Sequence, residues 1–485
     1  MTWFKRSTRG PGLPARPRPS FRTTALIIAS ALFMEQVDAT VLATALPTMA
    51  HNFAVSPVHM SAALTSYLLG LAIFIPASGY VADRYGARHV FRAAIVIFTV
   101  GSILCGQATS LPFLVAARLF QGIGGAMMVP VGRLVLLRSV AVEDLVPAMA
   151  WFTVPALVGP VVGPPLGGFI VTYLNWRWIF YLNVPIGVLG LYLATRYIEG
   201  LREPDPGSFD LTGFLLSAVS LSCLMYGLEM ASRGGGSATG ALGAILALGV
   251  AAGAGYFLHA RRSKGPILDL ALMRIATFRL SVLGGSLTRI TAGAVPFLLP
   301  MMMQEGFGMT AAQSGLITFV SAIGAFFMKL VTTPVLRRFG FRTTLVWNSV
   351  LASFFLALCA AFRPGWPVLA INGVLLAGGF FQSLQFTALN TVAYADMTQD
   401  RMSAATSFYS TFQQLTLSAG IAISSALLAL SMGLRHHPGP MLGDFSVAFL
   451  GVTAISILSA PVMAGLPRNA GAAMTGHAPR AAESA

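Results

Sequence analysis

Fourteen apolar runs, each about 20 residues long, follow one another along this chain, with short polar stretches between them. As a helix, such a run spans the hydrocarbon thickness of a bilayer. The runs lie near residues 24–47, 60–81, 90–108, 112–132, 146–171, 178–197, 209–229, 240–259, 280–303, 312–333, 344–362, 366–389, 403–431 and 445–466. Composition agrees with this reading. Only 10% of the residues are charged and the mean hydropathy is +0.74, whereas soluble domains carry about 25% charged residues. A large soluble protein with a greasy core is therefore set aside, and the expected fold class is an all-α polytopic membrane protein.

The first run does not read as a cleaved leader. Residues 1–22 carry six Lys or Arg and no acid, and a small-residue Ala43-Thr44-Ala45 resembles a cleavage site. The run from Thr24 to Pro47 is nonetheless longer than the roughly 7–15 residues of a signal core, and it contains Glu35 and Asp38. The expectation is a retained first span behind a basic tail.

Loop charge orients the spans. With the N-terminus placed in the cytoplasm, 24 of the 31 Lys and Arg residues fall in cytoplasmic loops and tails. Only Arg177, Arg233, Arg363 and Arg435 fall on the opposite face. This positive-inside bias places both termini in the cytoplasm. It also accounts for the net charge of +15 without nucleic acid, because the cations flank spans instead of forming one patch. The expected organisation is a disordered basic tail over 1–23 and a six-helix bundle over 24–198. A linker with two inserted helices covers 199–279, a second six-helix bundle 280–466, and a disordered cytoplasmic tail 467–485.

Two loops echo each other across these halves. Gly79-Tyr-Val-Ala-Asp83-Arg84-Tyr-Gly86-Ala-Arg88 joins spans 2 and 3. Its two glycines are expected to permit tight turns, and Asp83 sits beside Arg84, Arg88 and Arg92. The spacing Arg84, Gly86, Arg88 returns as Arg338, Gly340, Arg342, with Asp83 replaced by Arg337 and Gly79 by Thr333. A partial repeat of this kind suggests duplication, which is common among transporters.

Charged groups at bilayer depth are expensive and mark function. Glu35 and Asp38 lie three residues apart in span 1, near one helix face, with Gln36, Thr40 and Thr44 on the same helix. Two close carboxylates in a low dielectric should not both be ionised, which suits a proton carrier. The plainer alternatives are a water-filled vestibule around Glu35 or local backbone capping. Arg289 lies in span 9, with either the span 1 carboxylates or carbonyls and water as its partners. Arg118 and Gln121 lie early in span 4, where the company of Arg118 is expected to be a proton path. Lys329, near the cytoplasmic end of span 10, is expected to snorkel. Span 5 carries Pro155, Gly159, Pro160, Gly163, Pro164, Gly167 and Gly168. Its glycines recur at helical spacing and permit close approach, while its prolines bend the helix.

These motifs together resemble the major facilitator superfamily. Gly79 to Phe91 is similar to that family's loop between spans 2 and 3, and Arg118 to Ala126 to its span 4 motif. Gly159 to Gly168 is similar to the motif of its antiporters. Glu35 to Pro47, Trp176 to Gly187 and Phe386 to Asn390 resemble its fourteen-span drug:proton antiporter branch. The resemblance implies two six-helix bundles plus two inserted helices, rocking about a central cavity as protons enter and an amphipathic compound leaves. It further implies proton coupling through Asp38, Glu35 and Arg118, and a substrate cavity at Gln36, Thr40, Arg289 and Gln121. Gly79, Asp83, Arg84, Gly86 and Arg88 would form a gate loop, and the span 5 motif would control proton leak. An exporter of one metabolite, or a facilitator without proton coupling, stays open.

No catalytic motif is present: no His-Glu-x-x-His, no Gly-x-Ser-x-Gly and no phosphate loop. His436-His437 reads as a solvated loop and not a metal site. Cys105, Cys223 and Cys359 read as packing residues. No enzyme activity and no cofactor are expected. The expected partners are a small-molecule substrate, protons and the lipid bilayer, with the chain a monomer in the inner membrane and any outer-membrane efflux partner left open.

Overall fold

A computed structural model describes residues 21–139, 145–198, 208–232, 239–263, 265–398, 401–436 and 439–475. Most of both expected tails and the start of the linker, 199–207, lie outside the described residues. Among the described residues there is no strand. The first bundle comprises α1 (Phe21–Phe53), α2 (Ser61–Tyr85), α3 (Ala87–Gly106), α4 (Leu111–Ser139), α5 (Leu145–Tyr173), the short α6 (Trp178–Tyr181) and α7 (Asn183–Tyr197). The inserted pair is α8 (Leu211–Ser232) and α9 (Thr239–Arg262). The second bundle comprises α10 (Ala276–Met301), α11 (Ala311–Cys359), α12 (Val368–Val392), α13 (Met402–Arg435), α14 (Leu442–Ile457) and α15 (Ser459–Ala464).

Twelve helices among the described residues are long and apolar enough to cross a membrane, against fourteen expected. The difference lies in two places. The 49-residue α11 contains a non-helical Gly340, at φ 71° and ψ 168°, which breaks it where the loop between spans 10 and 11 was expected. In α5, the described apolar part covers only Val158–Tyr173.

Gly340 and Gly86 (φ 90°, ψ 126°) are the two turning points of the echoed loops. Gly340 sits in a region of backbone space that is essentially closed to side chains, and Gly86 lies close to it. The duplication is thus visible as a shared backbone device. Gly79 differs from the expectation: it lies inside α2, and an added Cβ would meet nothing within 4 Å. Replacing Gly340 by Ala should destabilise the protein by about 1–3 kcal/mol, whereas Gly79→Ala should be close to neutral. Thermal unfolding in detergent, followed for both variants, checks this contrast.

Within the first bundle α1 packs chiefly on α5, and α4 packs on α2 and α3. In the second, α11 packs on α12 and α10 on α13. The bundles meet along α5–α11 and α2–α13. The inserted pair leans on the outside of that second seam: Phe214 and Phe209 of α8 and its lead-in set tilted rings against Phe74 and Tyr80 of α2, at centroid distances of 5.7 and 4.9 Å. Asp210 anchors the pair at its base. It accepts hydrogen bonds from the Gly213 and Ile267 N–H groups and lies 2.6 Å from His259 Nε2. Burial pushes the Asp210 carboxyl up, but these donors more than offset it and hold it below its ordinary value.

Core packing distinguishes the two faces of the bundle. At the ends of α1, α2, α5 and α10 remote from the chain termini, one apolar cluster joins both halves, with Met49, Met60 and Trp176 beside Phe297, Met301 and Phe449. Polar contacts cross the seam there too. Ser61 Oγ donates to Ser425 Oγ at 3.1 Å, Gln304 Nε2 to the Thr44 carbonyl at 3.0 Å, and the Ala312 N–H to Thr172 Oγ1 at 2.9 Å. On the terminal side the apolar clusters are separate for each half. Within the expected C-terminal tail, Ala470 is buried, and Gly471 lies against the Phe341 ring.

Candidate functional site

The most enclosed polar cluster surrounds Asp38, half-way along α1. Arg118 Nη1 donates to Asp38 Oδ2 at 2.5 Å, and both side chains are almost fully buried. Gln121 Nε2 and Asn183 Nδ2 donate to Asp38 Oδ1 at 3.0 and 2.8 Å. Arg118 also donates to Gln121 Oε1 at 2.7 Å and to the Ala63 carbonyl at 3.3 Å, and its guanidinium lies 4.3 Å from the Tyr67 ring centroid. Asn183 is held in turn by Ser102 Oγ at 2.9 Å. One carboxylate on α1 is therefore tied to α4 through two residues and to α7 through a third. Charge-assisted bonds of this kind are about twice as strong as neutral ones. Glu35 is buried one turn earlier, and its Oε2 has no hydrogen-bond partner.

The other side of α1 meets the glycine stripe of α5. An added Cβ at Gly159 would lie 2.6 Å from Gln36 Cβ. One at Gly163 would collide with Thr40 Oγ1, and one at Gly167 with Thr44 Oγ1. The stripe thus matches Gln36, Thr40 and Thr44 one for one. A second contact extends it into the other half. Gly168 abuts the Ala311 carbonyl and Ala312 Cα of α11, and Gly315 of α11 abuts the Pro164 carbonyl. So α5 is wedged between α1 and α11, and only small residues permit that approach. The side chain of Pro155 lies outside the described residues.

A cavity of about 440 Å³ opens between the two halves at this wedge. Thr40 and Thr44 of α1 and Pro160 and Pro164 of α5 form one wall. Val295, Leu299, Ser321, Lys329, Gln382, Phe386 and Asn390 are among the residues of the facing walls. Its size fits a small organic molecule, and its lining is mostly apolar with a few polar groups, as in other ligand sites.

Four expectations change here. Gln121 was expected in the cavity, but it belongs to the Asp38 cluster. Gln36 packs on Gly159 and does not line the cavity. Arg289 also lies behind the wall: it donates to Asn390 Oδ1 at 2.8 Å and to Tyr409 Oη at 2.6 Å, with no span 1 carboxylate beside it. Lys329, expected to snorkel, is the charged residue of the cavity lining. In the loop between α2 and α3, Arg88 Nη2 donates to the Thr195 carbonyl at 2.5 Å, which ties the loop to α7, while Arg84 is exposed and Asp83 half-buried. Asn183, Tyr67 and Tyr409 were not singled out as site residues. Asn183 and Asn390 lie in motifs noted for other reasons, whereas Tyr67 and Tyr409 carry no signal in sequence.

Asn183 fixes one Asp38 oxygen from α7. Asn183→Leu should leave that oxygen a donor short and destabilise the fold by about 1–3 kcal/mol. Thermal stability and expression level together check this.

The profile of the Major Facilitator Superfamily matches residues 28–278 and 281–481. The chain is 38% identical over 456 residues to the "Putative multidrug resistance protein MdtD" of Klebsiella pneumoniae, covering 93% of this chain and 96% of that one. It is 37% identical over 451 residues to the protein of the same name from Escherichia coli, covering 91% and 94%. Among solved structures, a D-xylose-proton symporter aligns with a TM-score of 0.66 at 14% identity, over 93% of this chain and 99% of that chain. The nucleoside transporter NupG aligns at 0.63 and 16%, over 92% and 99%. These likenesses at low identity carry the fold, and the relatives carry the family. The chain, a multi-pass membrane protein by its architecture, belongs to the major facilitator superfamily of membrane transporters, alongside the MdtD proteins.

Proposed function

We infer that the protein exports amphipathic small molecules from the cytoplasm across the inner membrane in exchange for protons. The observation that carries this reading is the double engagement of α1. One side of the helix holds Asp38 against Arg118, Gln121 and Asn183, and the other presents Thr40 and Thr44 to the cavity. A proton on Asp38 removes the charge that holds Arg118 and weakens the tie from α1 to α4 and α7. Any shift of α1 is transmitted to the cavity wall and, through the glycine stripe, to α5 and α11. Proton occupancy and substrate occupancy then bias the same element, and each must alter the affinity for the other. Glu35, one turn away, provides a second carboxyl for the proton.

The loop-charge bias supports a cytoplasmic location for both termini. With that orientation, the joined apolar cluster seals the outer face and the cavity belongs to an inward-facing state. Asp83, Arg84 and Arg88 lie at the inner face, where a gate must open and close. The names of the MdtD relatives support a broad range of drug-like cargo. The reading is tested by uptake into inverted vesicles under an imposed pH gradient, screened across many compounds. Accumulation that requires the gradient supports it. Transport of one metabolite alone favours a narrow exporter, and transport indifferent to the gradient favours a facilitator.

A further inference from the structure

Charge is distributed unevenly about the cavity. The first half has balanced its buried cation: Arg118 has Asp38 at ion-pair distance. The second half has not. Arg289 is almost fully buried, and its two named partners, Asn390 and Tyr409, are neutral. Its Nε has no hydrogen-bond partner at all. Lys329 reaches the cavity from α11. Neither Arg289 nor Lys329 is in an ion pair among the described residues. No Asp or Glu lines the cavity among the described residues. A buried cation without a protein counter-charge, as Arg289 is, is expensive unless a negative group arrives from elsewhere, and Lys329, exposed and on the cavity lining, is open to meet one.

Asn390 points to where that group sits. An amide has one acceptor oxygen and one donor nitrogen. Arg289 occupies the oxygen, so the Nδ2 donors of Asn390 are left for the cavity that this residue lines. Arg289 acts through Asn390 as a positioning residue. The polar groups Lys329, Asn390 and Gln382 stand on α11 and α12, while Val295 and Leu299 of α10 provide an apolar wall.

We propose that the cargo site selects amphipathic organic anions, with the anionic group held by Lys329 and the Asn390 amide and the apolar body against α10. The proposal rests on the exporter reading above and narrows its substrate class. It excludes lipophilic cations as the preferred cargo, because nothing on the cavity wall would balance their charge. It also gives the proton cycle a separate site from the cargo, since the carboxylates of α1 lie behind the wall and not on it.

The test uses three probes of nearly equal size on the purified full-length protein in lipid nanodiscs: 1-naphthaleneacetate, its primary amide and 1-naphthylmethylammonium. Affinities are read by calorimetry. The expected result is binding of the acetate about tenfold or more tighter than of either companion. In Lys329→Gln that preference should vanish, and in Lys329→Arg it should persist. Arg289→Gln should weaken acetate binding less than Lys329→Gln does, because it acts only through Asn390. Equal or tighter binding of the ammonium or the amide overturns the proposal, as does an unchanged preference in Lys329→Gln or an absence of acetate binding. The same probes in inverted vesicles separate this from the exporter reading. Selective acetate binding without gradient-driven uptake supports the anion site and removes proton coupling. Gradient-driven uptake of the ammonium in preference to the acetate leaves coupling intact and removes the anion site.

Discussion

Asp38→Asn is expected to abolish gradient-driven export while leaving exchange of bound substrate in place. Asparagine has nearly the same shape and cannot titrate. It can still receive hydrogen bonds from Gln121 or Asn183 at one oxygen, so the local geometry is largely available. What it cannot supply is charge for Arg118, which is fully buried and has Asp38 as its carboxylate partner. Removing one member of a buried pair costs about 3–5 kcal/mol, because the other charge is left uncompensated. Asp38→Asn should therefore lower the thermal midpoint in detergent as well as the coupled rate. The double variant Asp38→Asn/Arg118→Gln removes both charges and should regain stability without regaining coupling. Recovery of gradient-driven export in the double variant would show that the pair is structural and carries no proton.

Gly163→Leu should be the most damaging change on the cavity side. Even a methyl group at this position collides with Thr40 Oγ1, and leucine adds three more carbon atoms. Thr40 cannot simply rotate away without losing its hydrogen bonds to the Gln36 and Val37 carbonyls at 2.8 and 3.1 Å. The helices must part instead. Overpacking costs typically about 1–3 kcal/mol, and here it also separates α1 from the helix that carries its motion to α11. Export should fall to background, or the vesicle pH gradient should collapse through a leak. Gly163→Ala should show the same effect in weaker form. Unchanged transport with an unchanged pH gradient in Gly163→Leu would show that α1 and α5 can move apart at this point without consequence.

Much of the fold is legible in the sequence because membrane helices announce themselves by length. At Gly340 the sequence even marks a boundary that hydrogen bonding does not: Arg337, Arg338 and Arg342 interrupt the apolar run where one continuous helix by hydrogen bonding is two by backbone angle. The α1 carboxylates and the α5 glycines are legible for the same reason: a charge or a stripe of small residues inside an apolar run is conspicuous by itself. Partnerships are not legible. Helical spacing gives the face on which Gln121 or Arg289 lies but not which helix that face meets. Hence Gln121 joins Asp38 instead of the cavity, and Arg289 finds Asn390 and Tyr409 instead of the α1 acids. Tyr67 escapes notice because an isolated tyrosine is ordinary in any sequence, and Asn183, though inside the Trp176–Gly187 motif, shows nothing there of its tie to Asp38. Lys329 reads as a snorkelling residue because depth alone ignores a cavity that reaches towards the membrane face.

The account rests on one claim, that the proton which drives transport is carried at Asp38. Substrate-induced proton release from the purified protein measures this directly, titrated across pH with a transported compound for the wild type and for Asp38→Asn. Release by the wild type over a defined pH window, and its loss in Asp38→Asn with substrate binding retained, is the predicted result. Equal release from both proteins would contradict it and leave an uncoupled facilitator, or a proton carried elsewhere, in its place.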